Sequence, residues 1–263
     1  MERLRCLDDF GFEKMRRPPR FTIAGDGVAG INGMVRVTGR EFHHLRDVMR
    51  LTPGAEIELC DQNGIKYAGR IASFKQGAAV IDVAQSASVD CFQPRLILAA
   101  GLIKPARMDL LIEKAAELDA SEFWPLRCTR SVIDGPSSGR RERWRRIVNA
   151  AAKQSLSQCL MEIHDPVDVA EMVTNVAKTT LAVTCVPDAQ PMTKVIRCAA
   201  GNVKAIMLAV GPEGDFTEAE LTTMREAGFM QAGLGRNRLR SETAAIAALS
   251  IASGILAERE NTA

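Results

Sequence analysis

The sequence predicts an α/β domain on a mostly parallel sheet, preceded by a small β-barrel. Three observations predict it. The chain has 263 residues, more than one ordinary domain of roughly 100–200 residues. Near residue 90 the pattern changes, from short apolar stretches between glycine-containing turns to a longer strand–helix alternation. Hydrophobic residues are 46% and charged residues 25%, the mix of a folded globular protein and not of a fibre or a disordered tail.

Strand-like stretches come first, at Met34–Val37, Glu56–Cys60, Lys66–Phe74 and Ala78–Val83. Between or before them lie Gly25-Asp26-Gly27, Thr52-Pro53-Gly54, Asn63-Gly64 and Gln76-Gly77. Asn63-Gly64 is a hairpin signal, because Asn-Gly readily takes the positive φ of a tight turn. Short strands at this spacing make a small barrel, interrupted by one helix over Gly39–Met49. Beyond it, strands are predicted at Leu96–Ala100, Glu122–Leu126, Thr180–Cys185, Val203–Val210 and Met230–Leu234. Helices are predicted at Met108–Leu118, Arg140–Cys159, Asp168–Ala177, Thr217–Ala227 and Thr243–Ala257. Leu110, Leu111, Ala115 and Leu118 share one side of the first of these helices, and Trp144, Ile147, Val148 and Ala151 one side of the second. Strands alternating with helices imply a parallel sheet covered on both faces.

Composition excludes several classes. The longest nearly uncharged apolar run, 244–257, has 14 residues, short of the roughly 20 that span a bilayer, so it reads as a buried helix. The charged first residues lead into no apolar segment, so no secretory signal and no membrane partner are expected. Seven cysteines (6, 60, 91, 128, 159, 185, 198) show no Cys-x-x-Cys spacing, which predicts reduced thiols in a cytoplasm and no metal. The net charge of +2 is uninformative. Its distribution says more: Arg127 to Lys153 holds eight basic residues against two acids. That stretch reads either as a nucleic-acid surface or as a solvated helix face.

Two loops concentrate the chemistry. Gly211-Pro212-Glu213-Gly214 follows one strand, and Gly235 to Thr243 follows another, both at carboxyl ends where open α/β sheets bind ligands. Thr217 and Glu220 form a capping-box pattern, so the first loop is either a plain strand-to-helix turn or a ligand loop. Arg236, Arg238, Arg240 and Glu242 stand beside an apolar helix, where charge is costly unless paired or bound to a ligand.

The residues Gly211-Pro212-Glu213-Gly214-Asp215-Phe216, and Leu234-Gly235-Arg236-Asn237-Arg238-Leu239-Arg240-Ser241-Glu242-Thr243-Ala244, resemble the paired signature of the bacterial 16S ribosomal RNA uracil-N3 methyltransferases, of the SPOUT superfamily. Pro19-Arg20-Phe21, the segment Gly39 to Arg50 containing Phe42, His43, His44 and Leu45, the group Glu113, Lys114, Glu117 and Leu118, and Ala151 to Ser155 resemble further elements of that family, in the expected order. Departures are Asp119 and Asp215 where the family carries Gly, Ser241 for Thr, Lys153 for Glu, and the segment Leu156-Ser157-Gln158-Cys159.

The resemblance implies a SPOUT-type α/β fold with a C-terminal trefoil knot behind a PUA-like β-barrel. The domains are then an N-terminal extension 1–18, a PUA-like RNA-binding domain 19–90 and a methyltransferase domain 91–263. It implies S-adenosylmethionine (SAM) as methyl donor, 16S rRNA of the small ribosomal subunit as partner, a homodimer and a cytoplasmic location. Donor-binding residues are then Leu208, Gly211, Pro212, Glu213, Gly214, Leu234, Gly235, Leu239, Arg240, Glu242 and Thr243. Arg240 and Glu242 are the catalytic candidates, and Arg20, His44, Arg46, Arg50, Arg140 and Arg141 the RNA-contacting ones. Rival readings are a SPOUT methyltransferase for another RNA nucleoside and a non-catalytic RNA-binding homologue.

Overall fold

A computed structural model describes residues 18–260 except 24–32, 62–64, 89–93, 132, 134, 156, 158 and 200–202. The turns expected at 25–27 and 63–64 lie outside the described residues. The chain divides into two compact units, one ending at Ala87 and one beginning at Ser88, with 62–65 grouped with the second.

The first unit is a five-stranded sheet of order β1-β3-β4-β5-β2. Its strands are β1 (Arg20–Ile23), β2 (Met34–Val37), β3 (Glu56–Asp61), β4 (Ile65–Lys75) and β5 (Ala78–Ser88). β1 runs parallel to β3, while β3/β4 and β2/β5 are antiparallel. The described pairings leave β1 and β2 as edges, so the sheet is an open half-barrel where a barrel was expected. Phe21, Ile57, Leu59, Ile71 and Ile81 fill its core. The helix expected over Gly39–Met49 divides into α1 (Gly39–His43) and a π-helical turn, His44–Val48. It stops where Arg50 takes φ +53°, a left-handed conformation that a helix cannot continue through.

The second unit is a six-stranded sheet of order β11-β9-β10-β6-β7-β8, parallel at every pairing. Its strands are β6 (Arg95–Gly101), β7 (Ala120–Leu126), β8 (Glu162–Ile163), β9 (Thr180–Cys185), β10 (Ala205–Val210) and β11 (Met230–Ala232). Its helices are α2 (Pro105–Glu117), α3 (Ser138–Ser155), α4 (Val169–Asn175), α5 (Met192–Cys198), α6 (Glu218–Glu226) and α7 (Ser241–Glu260). Local chemistry sets several starts. Pro105 occupies the first turn of α2, Asp168 caps the Glu171 amide of α4 at 2.8 Å, and Thr217 with Glu220 closes the capping box of α6.

Alternate side chains of β10 feed opposite cores, as a doubly covered sheet requires. Ile206, Leu208 and Val210 pack with residues of α2, α3, α5 and α7, whereas Ala205, Met207 and Ala209 pack with residues of α4 and α6. Ala245, Ala248 and Ala252 of α7 are fully buried, and small side chains let this helix lie close to the sheet. Trp144 enters the first core edge-on to Phe123, with ring centroids 6.2 Å apart.

The sequence reading differs from the structure at four places. Leu110 is 43% exposed, because the buried stripe of α2 is Met108, Leu111, Ile112, Ala115 and Ala116. α3 ends at Ser155, four residues short of Cys159. Strands β1 and β8 and helix α5 are too short to show a periodicity. Cys159 is disulfide-bonded, while Cys128, Cys185 and Cys198 are free thiols.

Candidate functional site

The order of the second sheet creates one switch point. From β6 the chain proceeds through α2 to β7 on one side, while from β10, its neighbour, it proceeds through α6 to β11 on the other. Ligands of open α/β sheets settle in such a crevice, beyond the carboxyl ends of the strands. Here the crevice is closed tightly at its base. A Cβ on Gly101, the last residue of β6, would lie 2.5 Å from the backbone nitrogen of Pro212, so only glycine permits this approach.

The two signature loops meet there. The Ser241 hydroxyl donates to the Gly211 carbonyl, tying the first residue after β10 to the first turn of α7. Arg107, in the first turn of α2, joins the carboxylates of both loops: Nη1 donates to Glu213 Oε1 at 2.9 Å, and Nε lies 3.6 Å from Glu242 Oε1. Glu242 is buried and its Oε2 has no hydrogen-bond partner. A buried carboxylate oxygen without a donor is an uncompensated cost. Arg238 Nη2 donates to Asp215 Oδ2 at 2.5 Å, and Arg130 Nη1 donates to the Gly214 carbonyl at 3.0 Å.

A third glutamate anchors the wall. Glu220 accepts from the Thr129 amide at 2.8 Å and from the Thr217 amide at 2.7 Å. Burial would raise its pKa, but these amides and the two threonine hydroxyls hold it below the ordinary carboxylate value. Burial pushes the Cys128 and Cys185 thiols up to about 12, so both stay protonated and neither supplies a nucleophile. Among the described residues no group of three or more His, Cys, Asp or Glu side chains is placed to hold a metal, and no helix is long and apolar enough to cross a membrane.

The sequence-predicted residues are distributed unevenly. Gly211 and Pro212 are buried, Glu213, Leu234 and Leu239 half-buried, and Gly214, Gly235, Arg240 and Thr243 exposed, all on the two loops or the start of α7. Leu208 is set apart, its side chain buried within the core. Arg240 has an exposed side chain and no ion pair or side-chain hydrogen bond among the described residues. On α3, Arg141 pairs with Asp165, and Arg143 with Asp109 at 2.7 Å, so part of the basic stretch is already neutralised within the fold. In the first unit, His44 sets its ring edge-on to Phe21, 5.7 Å between centroids. Arg46 pairs with Asp47 and lies 4.7 Å from the Phe42 ring centroid. Arg50 is exposed, and Arg20 lies on β1, its side chain outside the described residues.

Sequence reasoning missed Arg107, Thr129 and Arg130, which reach the loops from segments some 80 to 130 residues away in sequence. Nothing local marked them, since the two loops hold as many arginines (Arg236, Arg238, Arg240) as acids (Glu213, Asp215, Glu242).

Comparison with known proteins agrees with this geometry. An RNA methyltransferase domain matches residues 92–253, and an RNA methyltransferase PUA domain matches residues 37–82. The Ribosomal RNA small subunit methyltransferase E of Synechocystis sp. is 32% identical over 239 residues, covering 90% of this chain and 78% of that protein. The protein of the same name from Bacillus subtilis is 28% identical over 226 residues, 82% of this chain and 88% of that one. A crystal structure of a Ribosomal RNA small subunit methyltransferase E from Neisseria gonorrhoeae bound to S-adenosyl methionine shares the fold, with a TM-score of 0.77 at 24% identity over 90% of this chain and 98% of that one. A switch-point crevice holding both signature loops, within a domain match covering more than half of its residues, shows that this chain belongs to the RNA methyltransferase family.

Proposed function

We propose that this chain methylates N3 of a specific uridine in the 16S rRNA of the small ribosomal subunit, with SAM as methyl donor. The observation that carries the proposal is the unpartnered buried oxygen of Glu242, set beside Glu213 with one arginine shared between them. One guanidinium shared between two carboxylates leaves the second oxygen of Glu242 without a donor. SAM is a sulfonium that also carries an ammonium group, so the donor set fits it. Glu213, Glu242 and the backbone of Gly211, Pro212, Gly214, Leu234, Gly235, Leu239 and Thr243 would hold it, with Leu208 supporting the strand beneath. When bound, it supplies an electrophilic methyl group.

The chain's own residues then have three tasks. They hold donor and nucleophile in line, keep water from the buried end of the crevice, and manage one proton. N3 of uridine must be unpaired to react, and it exchanges its proton for the methyl group. Arg240, free of intramolecular partners among the described residues, stabilises the negative charge that develops on the uracil or pairs with the adjoining phosphate. Arg240→Ala should lower kcat about 100- to 1000-fold while changing the SAM dissociation constant less than about twofold. Equal losses in both, measured by single-turnover kinetics and calorimetry, reject this assignment.

The first unit, within 19–90, is the RNA platform of this reading, with Arg20, His44, Arg46 and Arg50 as phosphate-side contacts, and Arg140 and Arg141 of α3 extend it. Residues 91–263 form the methyltransferase domain behind an extension, 1–18. The C-terminal trefoil knot of this reading would include the two signature loops, which the Ser241–Gly211 hydrogen bond holds together. The working form is a cytoplasmic homodimer. Mass spectrometry of 16S rRNA from a deletion strain tests the target: N3-methyluridine should be lost, and its retention assigns the chain to another nucleoside.

A further inference from the structure

We infer that a cavity between the β6–α2 connection and the start of α3 receives the uracil ring itself. This rests on the methyltransferase reading above and adds to it the place of the acceptor base. The cavity has a volume of about 190 Å³, and its wall includes Leu102, Ile103, Met108, Ile133, Arg140 and Trp144. Volume selects the ligand class. An apolar cavity of about 150 Å³ accepts a benzene molecule, whereas drug-sized ligands need about 300–1,000 Å³. The space therefore suits one substituted six-membered ring and is too small for a complete methyl donor.

The polar groups on the wall select the ring. Trp144 is 1% exposed, and its indole N–H has no acceptor. Burying that donor carries a cost that a ligand carbonyl would relieve. Arg140 has no ion pair among the described residues, although Arg141 and Arg143 on the same helix are paired. Ser137 supplies the remaining polar side chain. Indole and guanidinium groups only donate. Uracil presents a carbonyl oxygen on each side of N3, while cytosine replaces one of them by an amino donor. When N3 loses its proton, the charge spreads onto those two oxygens, where fixed donors stabilise it.

The cavity also lies where the reaction needs it. Leu102 and Ile103 directly follow Gly101, which packs on Pro212. Met108 follows Arg107, which holds Glu213 and Glu242. One connection thus lines the base cavity and braces the donor loops.

The chain has two tryptophans, Trp124 and Trp144, so indole N–H resonances of the full-length protein report directly. Uridine 5′-monophosphate should move the resonance that disappears in Trp144→Phe and leave the other in place. Cytidine 5′-monophosphate at equal concentration should move it less than a third as far, and adenosine 5′-monophosphate less still. No movement at the solubility limit of the uridine nucleotide, or equal movement by all three, overturns the inference. Trp144→Phe should also lower kcat/KM for rRNA about 10- to 100-fold, the loss of a hydrogen bond to a charge-bearing group, with SAM affinity unchanged. Arg140→Gln, outside the packed core, should lower it about tenfold, and full kcat/KM in both variants overturns the assignment. SAM calorimetry on the unmodified chain separates the two readings. Lost SAM binding removes the methyltransferase reading, whereas retained SAM binding with a silent Trp144 removes only this one.

Discussion

Glu122 and Glu242 are equally hidden, 8% and 7% exposed, yet they are served very differently. Glu122, toward the opening ends of the parallel strands, accepts from Arg95 Nη1 at 2.9 Å, from Trp124 Nε1 at 2.9 Å and from His164 Nε2 at 3.1 Å. Glu242, beyond the closing ends, has one arginine at 3.6 Å and an oxygen with no donor. A satisfied buried carboxylate fixes structure. An unsatisfied one, held at the switch point by the packing of two loops, costs stability, a cost that the donor of the proposed function would offset. On the function proposed above, the difference separates the end of the sheet that holds the fold from the end that binds the donor.

The sharpest way to break this contrast is Gly101→Ala. The new methyl group would meet the backbone of Pro212, which cannot swing aside as a flexible side chain would. We expect a loss of about 1–3 kcal/mol in stability from overpacking, together with SAM binding too weak to titrate. The Trp124 and His164 resonances at the other end should stay in place. Normal SAM binding in this variant means that the close approach does not shape the donor loop.

Paired amide substitutions sharpen it further. Glu122→Gln leaves Arg95 and His164 facing a neutral group and should cost about 2 kcal/mol, with SAM affinity within about twofold of the parent. Glu242→Gln should do the reverse. Urea unfolding should change by less than about 1 kcal/mol, because the long contact with Arg107 that is weakened is offset by relief of a buried oxygen without a donor, while the SAM dissociation constant rises at least about tenfold. Two variants that lose stability alike would make both glutamates structural pins.

Much of this contrast was legible in the sequence, and its limits have physical causes. Val203 to Val210 reads as a buried strand because every side chain in it except Lys204 is apolar, and Thr217 with Glu220 announces the start of α6 by local hydrogen-bond chemistry. The glycines at 211 and 214 mark close contacts. Nothing local marks Arg107 as the residue between Glu213 and Glu242, because strand order in the sheet brings α2 beside loops a hundred residues later. The same holds for Trp144. Helical spacing placed it in the core, and only the folded chain shows its N–H left without an acceptor. β8, two residues long, has no pattern to find.

The satisfied end should also respond to pH in a way the open end does not. The hydrogen bond to Glu122 raises the His164 pKa above the usual 6.5, against the effect of burial. That contribution is complete below 6.5 and is lost as pH rises through the folded value. The His164 hydrogen bond lowers the Glu122 pKa below 4.5, again against burial, so its contribution is present above 4.5 and is lost as pH falls through the folded value. The melting-temperature difference between the parent and Glu122→Gln should therefore peak between these pH values and shrink on both sides, most clearly at low salt. A difference that stays flat from about pH 4 to 9 would show that His164 and Glu122 do not titrate as a pair.

The smallest effect concerns the two departures from the family's glycines. Asp119 and Asp215 have φ +57° and +59°, in the left-handed region that costs most side chains roughly 1–2 kcal/mol and aspartate less. Each aspartate has found a tether that glycine lacks: Asp119 Oδ1 accepts from the Ser157 hydroxyl at 2.7 Å, and Asp215 Oδ2 from Arg238 at 2.5 Å. The first tether joins two departures to each other, since Ser157 belongs to the atypical segment after α3. An exposed ion pair contributes about 0.2–1 kcal/mol, close to the conformational cost it opposes. Asp215→Gly should therefore change stability by less than about 1 kcal/mol. Asp215→Ala keeps the strain and loses the tether, and should cost about 1 kcal/mol or more. Thermal melts that order the three residues Gly, Asp, Ala, with aspartate nearer glycine, fit a backbone demand met by side-chain pairing. If alanine instead melts with aspartate, the Arg238 contact contributes nothing, and this loop tolerates its substitution for reasons of backbone conformation alone.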